Sequence, residues 1–164
     1  MFTCFKCGMY VQGLKHDLSK YSFEEFWPSV YYFQGDRSPI GKEKQEKGYS
    51  LCWLHHKGRN KHHWEYWIDR IGDQVINIEM PVRYLLESVV DRISASKVYK
   101  KDKYTEQEPL NFFINSKEYK IMNENTARNI RHLLTYLAEN GEEKALAYYK
   151  SLYKKHKHDT TITF

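Results

Sequence analysis

Residues 81–93 read PVRYLLESVVDRI. Val82, Leu85, Leu86, Val89, Val90 and Ile93 recur at the three- and four-residue intervals that line one face of an α-helix. Pro81 falls in the first turn, where its missing N–H costs no hydrogen bond. The stretch therefore predicts a helix with one packed face. Asp91 lies roughly opposite that face, together with Tyr84, and Glu87 and Asp91 are four residues apart, close enough to act together. On this helix alone they read as a solvated face in which Arg83 pairs with Glu87.

Helical spacing continues on both sides. Phe5, Met9, Val11, Leu14 and Leu18 predict a first helix ending near HDLSK at residues 16–20. Ser22 with Glu25 three residues on has the form of a capping box, so a second helix is expected from there to about Gln34, before Gly35. DRSPIGKEKQEKG, residues 36–48, reads as a loop by composition. A third helix is expected from about Tyr49 to Lys57, broken at Gly58, with Asn60 capping a fourth through KHHWEYWIDR. QVINI, residues 74–78, is the one strand-like run. LNFFINSKEY from Leu110 is expected to be helical, NTARNIRHLLTYLAENG is a strongly amphipathic helix stopped by Gly141, and EEKALAYYKSLYKK is another. The fold class expected is all-α: a single-domain helical bundle over residues 1–164, with C-terminal helices within 109–155 and a basic, solvated tail over 154–164.

With 164 residues the chain can bury an ordinary core without staples. No apolar run approaches the ~20 residues of a membrane span. The start, MFTCFKCGMY, lacks the organisation of a signal peptide. Three cysteines without framework spacing favour reduced thiols and the cytoplasm. The net charge of +5 suits attraction of a phosphorylated ligand but falls short of a nucleic-acid signature, and much of it sits in YKKHKHD and KVYKKDK.

The unusual chemistry lies in LCWLHHKGRNKHHWEYW, residues 51–67, which holds four of the eight histidines as two adjacent pairs, His55–His56 and His62–His63. Packed as core, each imidazole would need a partner, at ~1–3 kcal/mol per unsatisfied group. A shared metal satisfies several at once. Neighbours on a helix point about 100° apart, so one His of each pair is expected to face a centre and the other to support it. His16 and Asp17 add an imidazole–carboxylate pair at a helix end. Such donors suit Mn, Fe, Co, Ni or Zn better than Ca. CFKC at Cys4–Cys7 has zinc-like spacing but no second pair, and neither a G-x-x-x-x-G-K-[ST] loop nor a G-x-S-x-G elbow occurs. His132 reads as helix trim, and His156 and His158 as tail.

The order His-Asp, His, His and a distant Asp, all on helices, resembles the metal-dependent phosphohydrolase superfamily named for its HD dipeptide. HDLSK is similar to that superfamily's HD-[IL]-[GS]-K form, and HHKGRN to the HH-x-x-x-N element of its branch that cleaves cyclic dinucleotides. The run from CFKCGMYVQGLKHDLSKYSFEEF through GYSLCWLHHKGRNKHHWEYW to EMPVRYLLESVVDR, residues 4 to about 100, also resembles an uncharacterised bacterial and phage family, a domain of unknown function. The resemblance implies an HD-domain-like bundle holding one or two divalent metals. His16 and Asp17 would be paired ligands and Asp91 the distal one, with one of His55 and His56 and one of His62 and His63 completing a second position. Lys20 would face phosphate, Arg59 would clamp a phosphate oxygen, and Glu87 joins them as a catalytic candidate. The superfamily's usual His upstream of the pair has no counterpart before His16. A truncated chain, a first ligand from Cys4, Cys7, Glu79 or water, or a weakened site are the readings of that departure.

The expected function is metal-dependent hydrolysis of a nucleotide or other small phosphoester through activated water, with Trp64, Tyr66 and Trp67 walling the pocket or packing behind it. The alternative is a non-enzymatic HD-like helical binding module with a degenerate metal site. A nucleic-acid binder using the basic tail and aromatic residues is the third reading.

Overall fold

The computed structural model describes residues 1–35 and 37–164; Asp36, the first residue of the expected 36–48 loop, lies outside the described residues. Among the described residues there are nine α-helices and one two-stranded hairpin: α1 Phe2–Lys6, α2 Tyr10–Lys15, α3 Phe23–Tyr31, α4 Pro39–Lys47, α5 Leu51–Arg59, β1 Ile68–Ile71, β2 Gln74–Asn77, α6 Val82–Lys100, α7 Glu108–Ser116, α8 Glu124–Asn140 and α9 Glu142–His156. The protein is thus predominantly helical with a small antiparallel sheet. No helix among the described residues is long and apolar enough to cross a membrane.

Helix α6 organises the core as its stripe predicts. Val82, Leu85, Leu86, Val89, Val90 and Ile93 are all buried, and α6 packs against α1, α7, α8 and α9. Ile130, Leu133, Leu134 and Leu137 from α8 and Ala145, Leu146, Tyr149 and Leu152 from α9 complete the same apolar cluster. Asn123 caps α8 by accepting from the Thr126 N–H at 3.1 Å, and Gly141 (φ 79°) ends it.

Several local expectations are corrected. The single first helix breaks at Gly8, whose φ of 77° reverses the chain and packs Gly13 of α2 against α1. Rotated this way, α2 leaves Val11 and Leu14 exposed, as is Leu18 beyond it, and turns Gln12 and His16 toward α6. The 36–48 segment holds helix α4, begun by Ser38 and Pro39 and ended by Gly48 at φ 81°. Its residues are almost all polar, so no stripe announces it.

The expected fourth helix does not form. A short 3-10 turn over Trp64–Trp67 leads into β1, which pairs Ile68–Ile71 with Gln74–Asn77 across Gly72 and Asp73. Asn60 accordingly closes the C-terminus of α5 rather than opening a new helix. The last residues are not a free tail either. Phe164 stacks on His132 at 4.6 Å, and Asn129 Nδ2 donates to the Ile162 carbonyl at 2.6 Å.

Two glycines give opposite tests of this packing. A Cβ on Gly13 would come within 2.9 Å of Cys4 Cβ and the Phe5 ring, so Gly13→Ala is expected to destabilise by about 1–3 kcal/mol. Gly58 lies inside α5 with none of the described residues within 4 Å of its Cβ position, so Gly58→Ala is expected to stabilise by about 0.5–1 kcal/mol. Urea unfolding of the two variants checks both signs.

Candidate metal centre

Four segments converge beside α6. His16 ends α2, and Asp17 follows in the left-handed region (φ 58°, ψ 22°), a conformation that Asp tolerates better than most residues. The Asp17 carbonyl accepts the Lys20 N–H at 2.9 Å, which closes the 3-10 turn Leu18–Tyr21. His56 comes from α5, His62 and His63 from the turn after it, and Glu87 and Asp91 from α6.

The Asp17 carboxylate is the hub. Its Oδ1 lies 3.3 Å from His56 Nε2 and 3.5 Å from His62 Nε2, and its Oδ2 lies 3.4 Å from His16 Nε2. Asp91 Oδ1 is 3.1 Å from the same His16 nitrogen. The imidazoles form a continuous group, with ring centroids 4.5 Å apart for His16–His62 and 4.2 Å for His62–His63. Two sets of four donors result, each set with its ligand atoms within 4.8 Å of one another: His16, Asp17, His62 and Asp91, and Asp17, His56, His62 and His63. They share Asp17 and His62.

Within this group Asp17 Oδ1, His62 Nε2 and His63 Nε2 are buried without a hydrogen-bond partner among the described residues. Leaving such groups unsatisfied costs ~1–3 kcal/mol each. A cation between them removes that cost. Imidazole nitrogens with one or two carboxylates suit a divalent transition metal, so the residues present fit the expected cofactor.

Outer carboxylates orient the imidazoles. Glu25, 1 % exposed, accepts from His56 Nδ1 at 2.7 Å and from His55 Nδ1 at 2.6 Å. Glu87 Oε1 lies 3.1 Å from His16 Nδ1 and 3.5 Å from His62 Nδ1, while its Oε2 accepts from Gln12 Nε2 at 2.6 Å. In three histidines Nδ1 is thus held from behind and Nε2 faces Asp17, the arrangement by which a second layer fixes tautomer and ring angle in metal sites. Asn60 Nδ2 adds bonds to Ser19 Oγ and the His56 carbonyl, tying α5 to the Asp17 turn.

The structure brings His16, Asp17, His56, His62, His63 and Asp91 together. It does not bring in His55, which turns to Glu24 and Glu25, or Arg59, which donates to the His55 carbonyl on the exposed side of α5. Both histidines of the second pair belong to the group, because a turn rather than a helix carries them. Glu87 stands behind His16 and His62, and the expected Arg83–Glu87 pair gives way to these contacts. Lys20 bonds Asp17 Oδ2 while its side chain stays largely exposed. Cys4 and Cys7 are sealed in the core, where burial pushes their thiols up to about 11 and about 12. Glu79 accepts from Asn125. None of these three supplies a ligand.

Trp64 is buried, its indole N–H bonded to Glu118, and Trp67 packs on Tyr84, which leaves Tyr66 as the exposed member of the trio. Glu25, Gln12, Ser19 and Asn60 join the site without a site role expected from the sequence. The spacing of Ser22 and Glu25 assigned Glu25 to a helix cap, and only the HH-x-x-x-N spacing carried a signal for Asn60.

Charge follows geometry. Burial alone would depress His16, but hydrogen bonds to Asp91 and Glu87 and the charge of Asp17 outweigh it and raise its pKa from 6.5 to about 10. Burial would raise Glu87, but His16, His62 and Gln12 bring it from 4.5 down to about 2. Burial opposes ionisation of Asp91 as well, and the same imidazoles hold it well below the usual range. Burial together with its histidine neighbours keeps His63 well below the ordinary value, in the neutral form a metal requires.

For a raised His16, the stabilisation is complete below 6.5 and lost as pH rises through about 10. For a depressed Glu87, it is present above 4.5 and lost as pH falls through about 2. Chelator-stripped protein is therefore expected to melt at progressively lower temperature as pH is raised from 6.5 to 10. A flat Tm across that window in scanning calorimetry contradicts the assignment. Glu25→Gln is expected to weaken metal binding roughly 10–100-fold with the fold retained, measured by chelator competition.

A family model described as a family of unknown function (DUF5662) matches residues 1–136, a span that includes every residue of the donor group. No curated protein and no solved structure matches the chain. With the model covering most of its length, the chain belongs to the DUF5662 family.

Proposed function

We propose that the protein is a metal-dependent phosphohydrolase acting on a nucleotide or other small phosphoester. The observation that carries this reading is the pair of four-donor sets sharing Asp17 and His62, with three buried donor atoms left unpartnered between them. The resemblance to the HD-named superfamily supports it through His16, Asp17 and Asp91. We assign to His62, which follows the pair in sequence and lies beside it in space, the role that superfamily gives to an upstream His.

A divalent cation held by these residues supplies Lewis acidity and lowers the pKa of water. The chain's own groups do the rest. Glu25 and Glu87 keep His16, His56 and His62 in one tautomer with Nε2 inward. Lys20, tethered to Asp17 at the turn and largely exposed, offers its ammonium to a phosphoryl oxygen and stabilises charge that grows there in the transition state. On this reading substrate approaches on the side of Asp91, whose side chain is more exposed than that of Asp17.

A second reading draws on the enclosure of the group: the side chains of His16 and Asp17 are 11 % and 10 % exposed, and that of His62 2 %. Structural metal sites are closed in this way, whereas catalytic ones keep an open position. On that reading a metal fastens α2 and α5 to α6 and the protein binds rather than hydrolyses.

Purified protein is expected to carry transition metal by elemental analysis and to hydrolyse an aryl phosphate or a member of a nucleotide panel, with activity lost to EDTA and restored by metal. Asp17→Ala is expected to lower activity by at least roughly 10³-fold, since it removes a donor from both sets. Full metal occupancy with no turnover on the panel, together with a fall in Tm on metal removal, favours the closed structural site.

A further inference from the structure

Helix α3 is built inside out. Its buried residue is Glu25, while Phe23, Phe26, Trp27, Val30 and Tyr31 are 76 %, 46 %, 54 %, 54 % and 80 % exposed. Those five positions have the i, i+3, i+4, i+7, i+8 spacing of a helix-packing stripe. Solvent is where they point because Glu25 must reach His55 and His56, and a nine-residue helix that turns one face to the metal centre turns the other away. Tyr21 and Leu18, just ahead of the helix, are also exposed, at 82 % and 55 %.

We propose that this stripe is the interface of a homodimer, in which α3 of one copy packs antiparallel on α3 of a second about a two-fold axis. Charge complementarity selects a second copy. A groove of about 480 Å³ runs along the stripe, with Phe23 and Glu24 at one end and Tyr31 and Lys47 at the other. Lys47 sits over the Tyr32 ring at 5.4 Å, which places it at the C-terminal end of α3; its ammonium lies 3.3 Å from Glu43 Oε1 and its side chain stays 44 % exposed. Glu24 lies in the first turn, 3.8 Å from His55 and 62 % exposed, so both retain a solvent-facing side for a partner. Antiparallel pairing sets each Glu24 against the partner's Lys47 twice over, as two-fold symmetry requires.

Area points the same way. The seven side chains expose roughly 100 Å² each, so a partner that covers all of them buries roughly 700 Å² per copy, or roughly 1,400 Å² in all, within the range of stable interfaces. The composition, rich in aromatic residues with charge confined to the ends, is that of an interface core with a polar rim.

The test is sedimentation velocity on the full chain across a concentration series. The 19.8 kDa chain is expected to sediment as a dimer. Trp27→Glu and Tyr31→Glu, each checked for fold by circular dichroism and for unchanged metal content, are expected to sediment as monomers. Glu24→Lys and Lys47→Glu are each expected to weaken the dimer roughly tenfold, and the two together to recover it with the signs exchanged.

A wild-type monomer at 100-fold the concentration of a micromolar Kd overturns the proposal, as does a dimer that survives Trp27→Glu, charge reversals that do not compensate, or a stripe that a different protein occupies stoichiometrically. Metal binding and hydrolysis are read separately from the oligomeric state, so either can fail without the other.

Discussion

A carboxylate taken out of water is tolerated only where cations or hydrogen-bond donors replace its solvent, and Asp17 concentrates that requirement at the centre of this fold. Three imidazoles and a lysine surround it, from α2, α5, the turn beyond α5 and the turn that follows Asp17 itself. Neither the turn at φ 58° nor the outward apolar stripe of α3 makes sense for a protein selected only to bury carbon. Both follow once the polar group is taken as the fixed object and the helices as what must reach it. Even Glu25 and Glu87, buried acids on helices otherwise free to carry aliphatic residues, are explained by the imidazole nitrogens they hold.

The two halves of the molecule divide the work. Helices α6 to α9 form an aliphatic cluster whose burial stabilises a rigid frame, and α6 serves both sides. Its stripe faces α8 and α9, while Glu87 and Asp91 face the N-terminal segments. The N-terminal half contributes little aliphatic core of its own; its helices α3, α4 and α5 pack mainly on one another and are joined to the frame through the imidazole–carboxylate contacts. A metal bound by these residues would therefore be coupled to how firmly that half is held, by the linkage that makes binding free energy part of folding free energy.

What could be read from the sequence follows physical lines. Stripes such as 82–93 and the α8 pattern are set by periodic burial against one large neighbour, and both formed as expected. That His16, Asp17, His56, His62, His63 and Asp91 lie close together was readable because imidazoles and carboxylates in that order have few structural uses. Segments whose environment is polar were not. Helix α4 buries one residue, Glu43, so it has no stripe to detect. The region 61–70 is rich in aromatics that suit either a helix or a strand, and the Gly72–Asp73 turn decides for the hairpin. Glu25 satisfied a local capping rule that the structure overrides, because a buried bond to two histidines outweighs a solvent-exposed cap. The exposed positions of Val11 and Leu14 follow from Gly8, whose reversal of the chain no periodicity encodes.

On the proposed function, imidazole nitrogens and carboxylate oxygens from separate segments coordinate one cation or two adjacent ones. X-ray absorption spectroscopy at the metal edge of protein loaded with zinc tests this most directly. The account predicts a first shell of nitrogen and oxygen at about 2.0–2.1 Å with the outer-shell scattering of at least two imidazole rings. A shell with sulfur at about 2.3 Å, or one without imidazole scattering, contradicts it.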